Sequence, residues 1–194
     1  LRTFCVLAVF VLSVGCAAKP SADSDETYKR GLSVANSDTA GAIKIFEDGL
    51  QADPRHYRMR FALARLQYDT GETQFLAERD AVRAARDFEE NHKTADVQKA
   101  QHEAQDRHEK AFPFYRAARE NLQIVVEKDQ DDARKAWASE LLMKCDMFFE
   151  DFDSAVIHLD KAIELGHPTG AKRLQMEEFL TELKNSVKGH KGGG

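Results

Sequence analysis

Ala42-Ile43-Lys44-Ile45-Phe46-Glu47-Asp48-Gly49-Leu50-Gln51-Ala52-Asp53-Pro54 places apolar or small residues at 42, 46 and 49/50 and then meets a proline. Residues three and four apart share one side of a 3.6-residue helix, so the spacing predicts an amphipathic helix that the proline ends. The pattern returns in Ala155-Val156-Ile157-His158-Leu159-Asp160-Lys161-Ala162-Ile163-Glu164-Leu165-Gly166-His167-Pro168, with the stripe at 155, 159 and 162/163. A third copy, Ala118 to Asp129, carries it at 118, 122 and 125/126. A stripe that recurs with its own stop signal is the mark of a repeat architecture.

Each copy follows another helical run. Phe61 to Glu72 is periodic and reaches Gly71, a residue that commonly closes helices. Trp137 to Phe149 spaces Trp137, Leu141, Leu142, Cys145 and Phe148 by three and four. Pro113 stands where the second helix of the third copy is expected to begin, the helical position that proline tolerates best. Phe75 to Phe88 reads as a further helix without a closing proline. Ala95 to Ala111 is nearly all polar or Ala, with a stripe of Val97, Ala100, Ala104 and Ala111; it predicts an extended, weakly packed helix.

With these residues in view, the chain resembles the tetratricopeptide repeat family, whose paired helices carry bulky, Leu, small and Tyr positions and then Ala, Phe, Ala and Pro. The resemblance places repeat starts near 23, 57, 99 and 136 and covers roughly residues 24–169. It implies an all-α fold, a short α-solenoid of about four helix-turn-helix repeats over 26–169, two of them irregular. Gly49 occupies the family's small position, at about 1 kcal/mol relative to Ala in a helix. After Pro168-Thr169-Gly170, the apolar face of Met176, Phe179, Leu180, Leu183 and Val187 predicts a helix over 170–188 that caps the open end of the array. Residues 189–194 read as a disordered tail.

The N-terminus reads as an address. Arg2, the unbroken apolar run Phe4 to Leu12, and the small residues that follow match the three regions of a secretory signal over 1–15. The run is shorter than the roughly 20 residues a bilayer-spanning helix needs. Val14-Gly15-Cys16 resembles a bacterial lipobox, which implies that Cys16 becomes the lipidated first residue of the mature chain. Three acyl chains, as that class carries, bind a membrane almost irreversibly. Residues 16–25, polar and interrupted by Pro20, then read as a tether. Cleavage without lipidation, giving a soluble secreted protein, and a cytoplasmic helical module with a misread start stay open as alternatives. With Cys5 in the signal and Cys16 lipidated, Cys145 is left as a lone cysteine, expected as a small buried residue on a helix.

Composition narrows the function. Twenty-eight Lys and Arg against 33 Asp and Glu give a net charge of −5, which disfavours a nucleic-acid binder because no basic excess exists to neutralise phosphate. No Gly-x-Ser-x-Gly, phosphate-cradling glycine loop or His-Glu-x-x-His occurs. His102 and His108 are six apart and fall on different helix faces, and His92 does not repair the geometry. Asp129, Asp131 and Asp132 lack the Gly and distal Glu of a calcium loop; they are expected to form a turn and feed an acid to the next helix. The reading is therefore of no enzyme, no cofactor, no metal and no small-molecule substrate. A protein or peptide partner and a membrane contact through the lipid remain.

The family resemblance implies where a partner would lie, since first helices line a groove. Carried over by position, the groove residues are Arg58, Phe61, Arg65, Tyr68 and Asp69; then Glu103, Arg107 and Lys110; then Trp137, Glu140, Lys144, Met147 and Phe148. Arg, Tyr and Trp dominate binding energy at interfaces, which puts the emphasis on Arg58, Arg65, Tyr68, Arg107, Lys110, Trp137 and Lys144. The aromatic members also fit simple packing between helices. By resemblance the role is an accessory or scaffolding part of an envelope assembly, such as outer-membrane insertion, a pilus or secretion. A regulatory subunit of a cell-wall or signalling enzyme is the alternative.

Overall fold

The computed structural model describes residues 22–91 and 93–191, and among them every regular element is a helix. In order these are α1 (Ala22–Val34), α2 (Thr39–Ala52), α3 (Tyr57–Glu90), α4 (Thr94–Lys128), α5 (Asp132–Phe148), α6 (Phe152–Glu164) and α7 (Ala171–Lys191). Residues 1–15, read above as a signal, together with Cys16, His92 and residues 192–194, lie outside the described residues. No described helix is long and apolar enough to cross a membrane.

Side-chain caps set most of the helix starts. Asp38, Asp131 and Asp151 accept from the backbone N–H three residues on, at Gly41, Arg134 and Ser154 respectively, which satisfies an otherwise orphaned donor. His56 does the same for α3: its buried Nδ1 accepts from Met59 N–H at 3.1 Å, so Nε2 carries the proton and donates to Asp25 of α1 at 3.2 Å. The α2 stop falls where the sequence places it, with Asp53 N–H donating to Gly49 O. α6 ends on Gly166 at φ +83°, with N–H groups of Gly166 and His167 closing on Ile163 and Ala162 carbonyls, the left-handed turn that glycine adopts freely.

Three apolar clusters run along the chain. α1, α2 and α3 share Phe46, Leu50, Met59 and Leu63; α3, α4 and α5 share Tyr68, Tyr115, Leu122 and Leu142; α5, α6 and α7 share Met143, Leu159, Ile163, Met176 and Leu180. α7 thus closes the last cluster with Met176, Leu180 and Leu183 of its expected face, while Phe179 of that face is exposed, and it continues to Lys191, three residues beyond the expected end. Residues 22–25, expected as tether, are instead the first turn of α1.

The middle of the chain departs most from expectation. Gly71 does not end a helix and Pro113 does not begin one: α3 and α4 are single helices of 34 and 35 residues, paired as one long hairpin. Gly71 serves close approach, because a Cβ there would lie 3.0 Å from the Tyr115 ring. Pro113 sits on an exposed face, and the carbonyl it leaves unpaired, that of exposed Glu109, faces water. The stretches 75–88 and 95–111 therefore pair with each other through Ala81, Ala85, Ala100 and Ala104 and do not form separate repeats.

Gly31 makes a second close approach. A Cβ there would stand 2.1 Å from Phe46 Cε1, inside the fully buried ring. Gly31→Ala is expected to destabilise by about 1–3 kcal/mol through overpacking, outweighing the ~1 kcal/mol that Ala gains as a helix former. Urea unfolding followed by circular dichroism checks the sign; a variant more stable than the parent would show that Phe46 moves aside freely.

Candidate binding face on α3, α5 and α7

α3 presents Arg58, Phe61, Arg65, Tyr68 and Asp69 at helical spacing. Tyr68 is buried and held: its hydroxyl donates to Glu72 Oε2 at 3.1 Å, which also accepts from Tyr115 at 2.6 Å. Burial, and then the Glu72 charge, push both phenols well above their ordinary range, so both stay protonated donors. Arg65 is exposed and pairs with Asp69 at 3.8 Å. Burial raises the Asp69 carboxyl, with Arg65 working against it. Arg58 lies nearer α1, its guanidinium 4.9 Å over the Tyr28 ring and 4.0 Å from Asp25.

α5 supplies the opposite side. Lys144 Nζ stands 6.0 Å over the Tyr68 ring, a cation over a pinned aromatic face. Its other partner is Glu140, buried to 3% exposure, which collects three basic groups: Lys144 at 2.9 Å, His167 Nε2 at 2.7 Å and Lys172 of α7 at 3.4 Å. Burial alone raises a carboxyl, yet the hydrogen bonds and charges of these partners hold Glu140 below its ordinary 4.5. Trp137 lies one turn before Glu140, with its ring 3.9 Å from the His167 ring and 49% exposed. Since Tyr68 meets Lys144 and Phe75 meets Phe148, α3 and α5 run parallel. Two turns back, Phe61 is then level with Trp137.

The structure thus brings Tyr68, Trp137 and Lys144 into one region, with Arg65 beside it and Arg58 toward α1. It does not bring Arg107 and Lys110 there. Both are on the outer half of α4, where Arg107 donates to Gln74 at 3.2 Å and Lys110 to Asp106 at 2.6 Å. The helical period turns Lys110 about 200° from His108, whose ring stacks on Phe148 at the end of α5. Glu103 pairs with Arg107 on the same outer stretch. Phe148 is packing, stacked on Tyr115 at 4.0 Å, and Met147 is partly buried against the α5–α7 cluster. His167 and Lys172 escaped the sequence reading because each sits in a turn or on a capping helix, with its partner 27 and 32 residues away.

The remaining candidates have other uses. Asp131 caps α5, and Asp129 accepts from Arg134 and from the Asp131 N–H, so the acidic run is a turn. Cys145 is fully buried, and burial followed by the neighbouring Asp146 charge pushes its thiol up, away from reactivity. Among the described residues no group of three His, Cys, Asp or Glu is placed to hold a metal. An open cavity of about 500 Å³ lies elsewhere, on the outer half of the hairpin.

The Glu140 cluster has a pH signature. A carboxyl that titrates below 4.5 when folded contributes its stability in full above about pH 4.5 and loses it as pH falls through the lower folded value. Glu140→Gln is expected to cost about 1.5–3 kcal/mol near neutral pH, the range for hydrogen bonds to charged groups. The parent and variant should converge as pH falls below the lowered folded value, where the parent carboxyl is protonated. Denaturant midpoints of both proteins across that range provide the check; a gap independent of pH would show that shape, not charge, matters at 140.

No protein family, curated protein or solved structure matches the chain.

Proposed function

We propose that the chain is a lipid-anchored helical scaffold of the bacterial envelope, built as a tetratricopeptide-like solenoid that holds a protein segment against α3 and α5. On this reading α1–α2 and α5–α6 are two repeats. Residues 57–71 and 113–128 are the helices of a third, and 72–112 is a hairpin grown from its tip. Cores each shared by three consecutive helices support the solenoid. Cys16 is the anchor, and outer-membrane insertion, pilus biogenesis or secretion is the setting.

The observation that carries the binding role is Trp137, half exposed on a base held rigid by Glu140 and its three basic partners. A rigid, half-exposed Trp among Arg65, Lys144 and Lys172 suits a partner segment with an apolar side chain and flanking acids. The test is affinity capture from a solubilised envelope with the parent and Trp137→Ala. Trp137→Ala should weaken a captured partner by about 2 kcal/mol, roughly thirtyfold, with helicity unchanged. Equal recovery by the variant removes the face from the proposal. Separately, palmitate labelling that survives Cys16→Ser removes the anchor.

A further inference from the structure

The groove between α3 and α4 is filled along one half and open along the other. In the filled half α5 lies in it, with Leu142 and Cys145 closing over Tyr68, Ala111 and Tyr115. α5 ends at Phe148, stacked on His108 at 5.3 Å, and the chain turns away into α6. From His108 outward the same groove continues as the cavity of about 500 Å³, walled by Glu78, Val82, Arg86 and Glu89 of α3 and Gln101 of α4. Beneath it the buried apolar residues of α3 and α4 are the alanines 81, 85, 100 and 104, which bury one methyl each, and Val82 is left 37% exposed. A two-helix seam of that kind gains little from burial by itself.

We infer that a second copy of the chain covers this open half, hairpin against hairpin, about a two-fold axis beside Val82. The charge pattern of the rim selects the occupant. Glu78 and Arg86 are each four residues from Val82 on the same face of α3. An antiparallel second copy therefore sets Val82 against Val82 and each Arg86 against the other copy's Glu78, so one surface complements itself twice. Glu78 spends only Oε2 on His108, which leaves Oε1 to accept from the guanidinium. Among the described residues, Arg86 and Glu89 have no hydrogen-bond or ion-pair partner. The open stretch of α3, from Glu78 to Glu90, spans about 18 Å, and two helices side by side give roughly 350 Å² per copy. That is below the usual size of specific interfaces, so the dimer is weak and concentration-dependent.

The test uses the full chain with Cys5 and Cys16 replaced by Ser. Sedimentation should show a monomer–dimer equilibrium, and Val82→Glu should weaken it by about tenfold or more, since two like charges then meet at the axis. Val82 carries no core packing, so helicity should not change. Under mild oxidation Val82→Cys should give a disulfide-linked dimer. Leu76→Cys, more exposed at 48%, should not, because its two copies would stand about 18 Å apart along the helices, beyond disulfide reach. A parent that stays monomeric up to about 1 mM overturns the inference, since the complementary pairs then contribute no measurable association. So do Val82→Glu dimers of undiminished strength, or equal cross-linking through 76 and 82.

Discussion

Replacing Asp146 with Ala should lower the unfolding free energy by about 3–5 kcal/mol, the cost of stranding a buried charge partner. Asp146 is fully buried on α5 and faces two bases from two other helices: Arg119 of α4, whose Nε lies 2.7 Å from Oδ1, and His158 of α6, whose Nδ1 donates to Oδ2 at 2.5 Å. The angle at Oδ1 leaves that oxygen without a hydrogen bond, so the Arg119 contact works through charge. Arg119 also reaches Asp151, the cap of α6. One carboxylate thus joins α4, α5 and α6, and its removal leaves cationic Arg119 with a single acid. Asp146→Asn keeps the volume and one acceptor and should lose about 1.5–3 kcal/mol. Guanidinium unfolding of the parent and both variants measures this. An Ala variant no worse than Asn would mean that the charge contributes nothing.

Tyr115→Ala should be as damaging, at about 3–5 kcal/mol for deletion of a buried ring. Tyr115 is 2% exposed and stands where the long hairpin leaves the rest of the chain. Its ring stacks on Phe148 at 4.0 Å, meets Tyr68 and Phe75 edge-on at 5.6 and 6.5 Å, and closes on Gly71. Its hydroxyl is the shorter of the two donated to Glu72. Tyr115→Phe retains the stack and removes only that donor, so about 1.5–3 kcal/mol is expected. If thermal unfolding gave the same loss for Phe and Ala, the hydroxyl would outweigh the ring.

Much of the helical order was legible in local pattern. The stripe ending at Asp53-Pro54, the acidic cap before α5 and the apolar face of α7 each depend on residues within a turn or two of one another. Such signals act through backbone geometry that every helix shares. Gly71 and Pro113 misled for the opposite reason. Their local preferences point to a break, but their meaning depends on residues far along the chain. Gly71 leaves room for a ring 44 positions away, and its missing Cβ is worth more as space than it costs as propensity. Pro113 lies on the solvent side, where a lost intrahelical bond is replaced by water.

The candidate face divides in the same way. Arg58, Arg65, Tyr68, Trp137 and Lys144 were named by what the family resemblance implies for positions on single helices, weighted by residue type. Whether they share a surface was not local. Arg107 and Lys110 carry the right chemistry at the right spacing, yet they belong to a hairpin extension. Glu140 was placed in the groove by position alone; that it gathers His167 and Lys172, from the α6–α7 turn and α7, was not legible. Composition and periodicity were enough for an all-helical chain with a repeated stripe, since hydrogen bonding and helix period act within a few residues. Helix continuity, the choice of basic residues beside Trp137 and the half-filled α3–α4 groove depended on which helices pack together. Packing is a contest among distant side chains for the same volume, and no local window contains it.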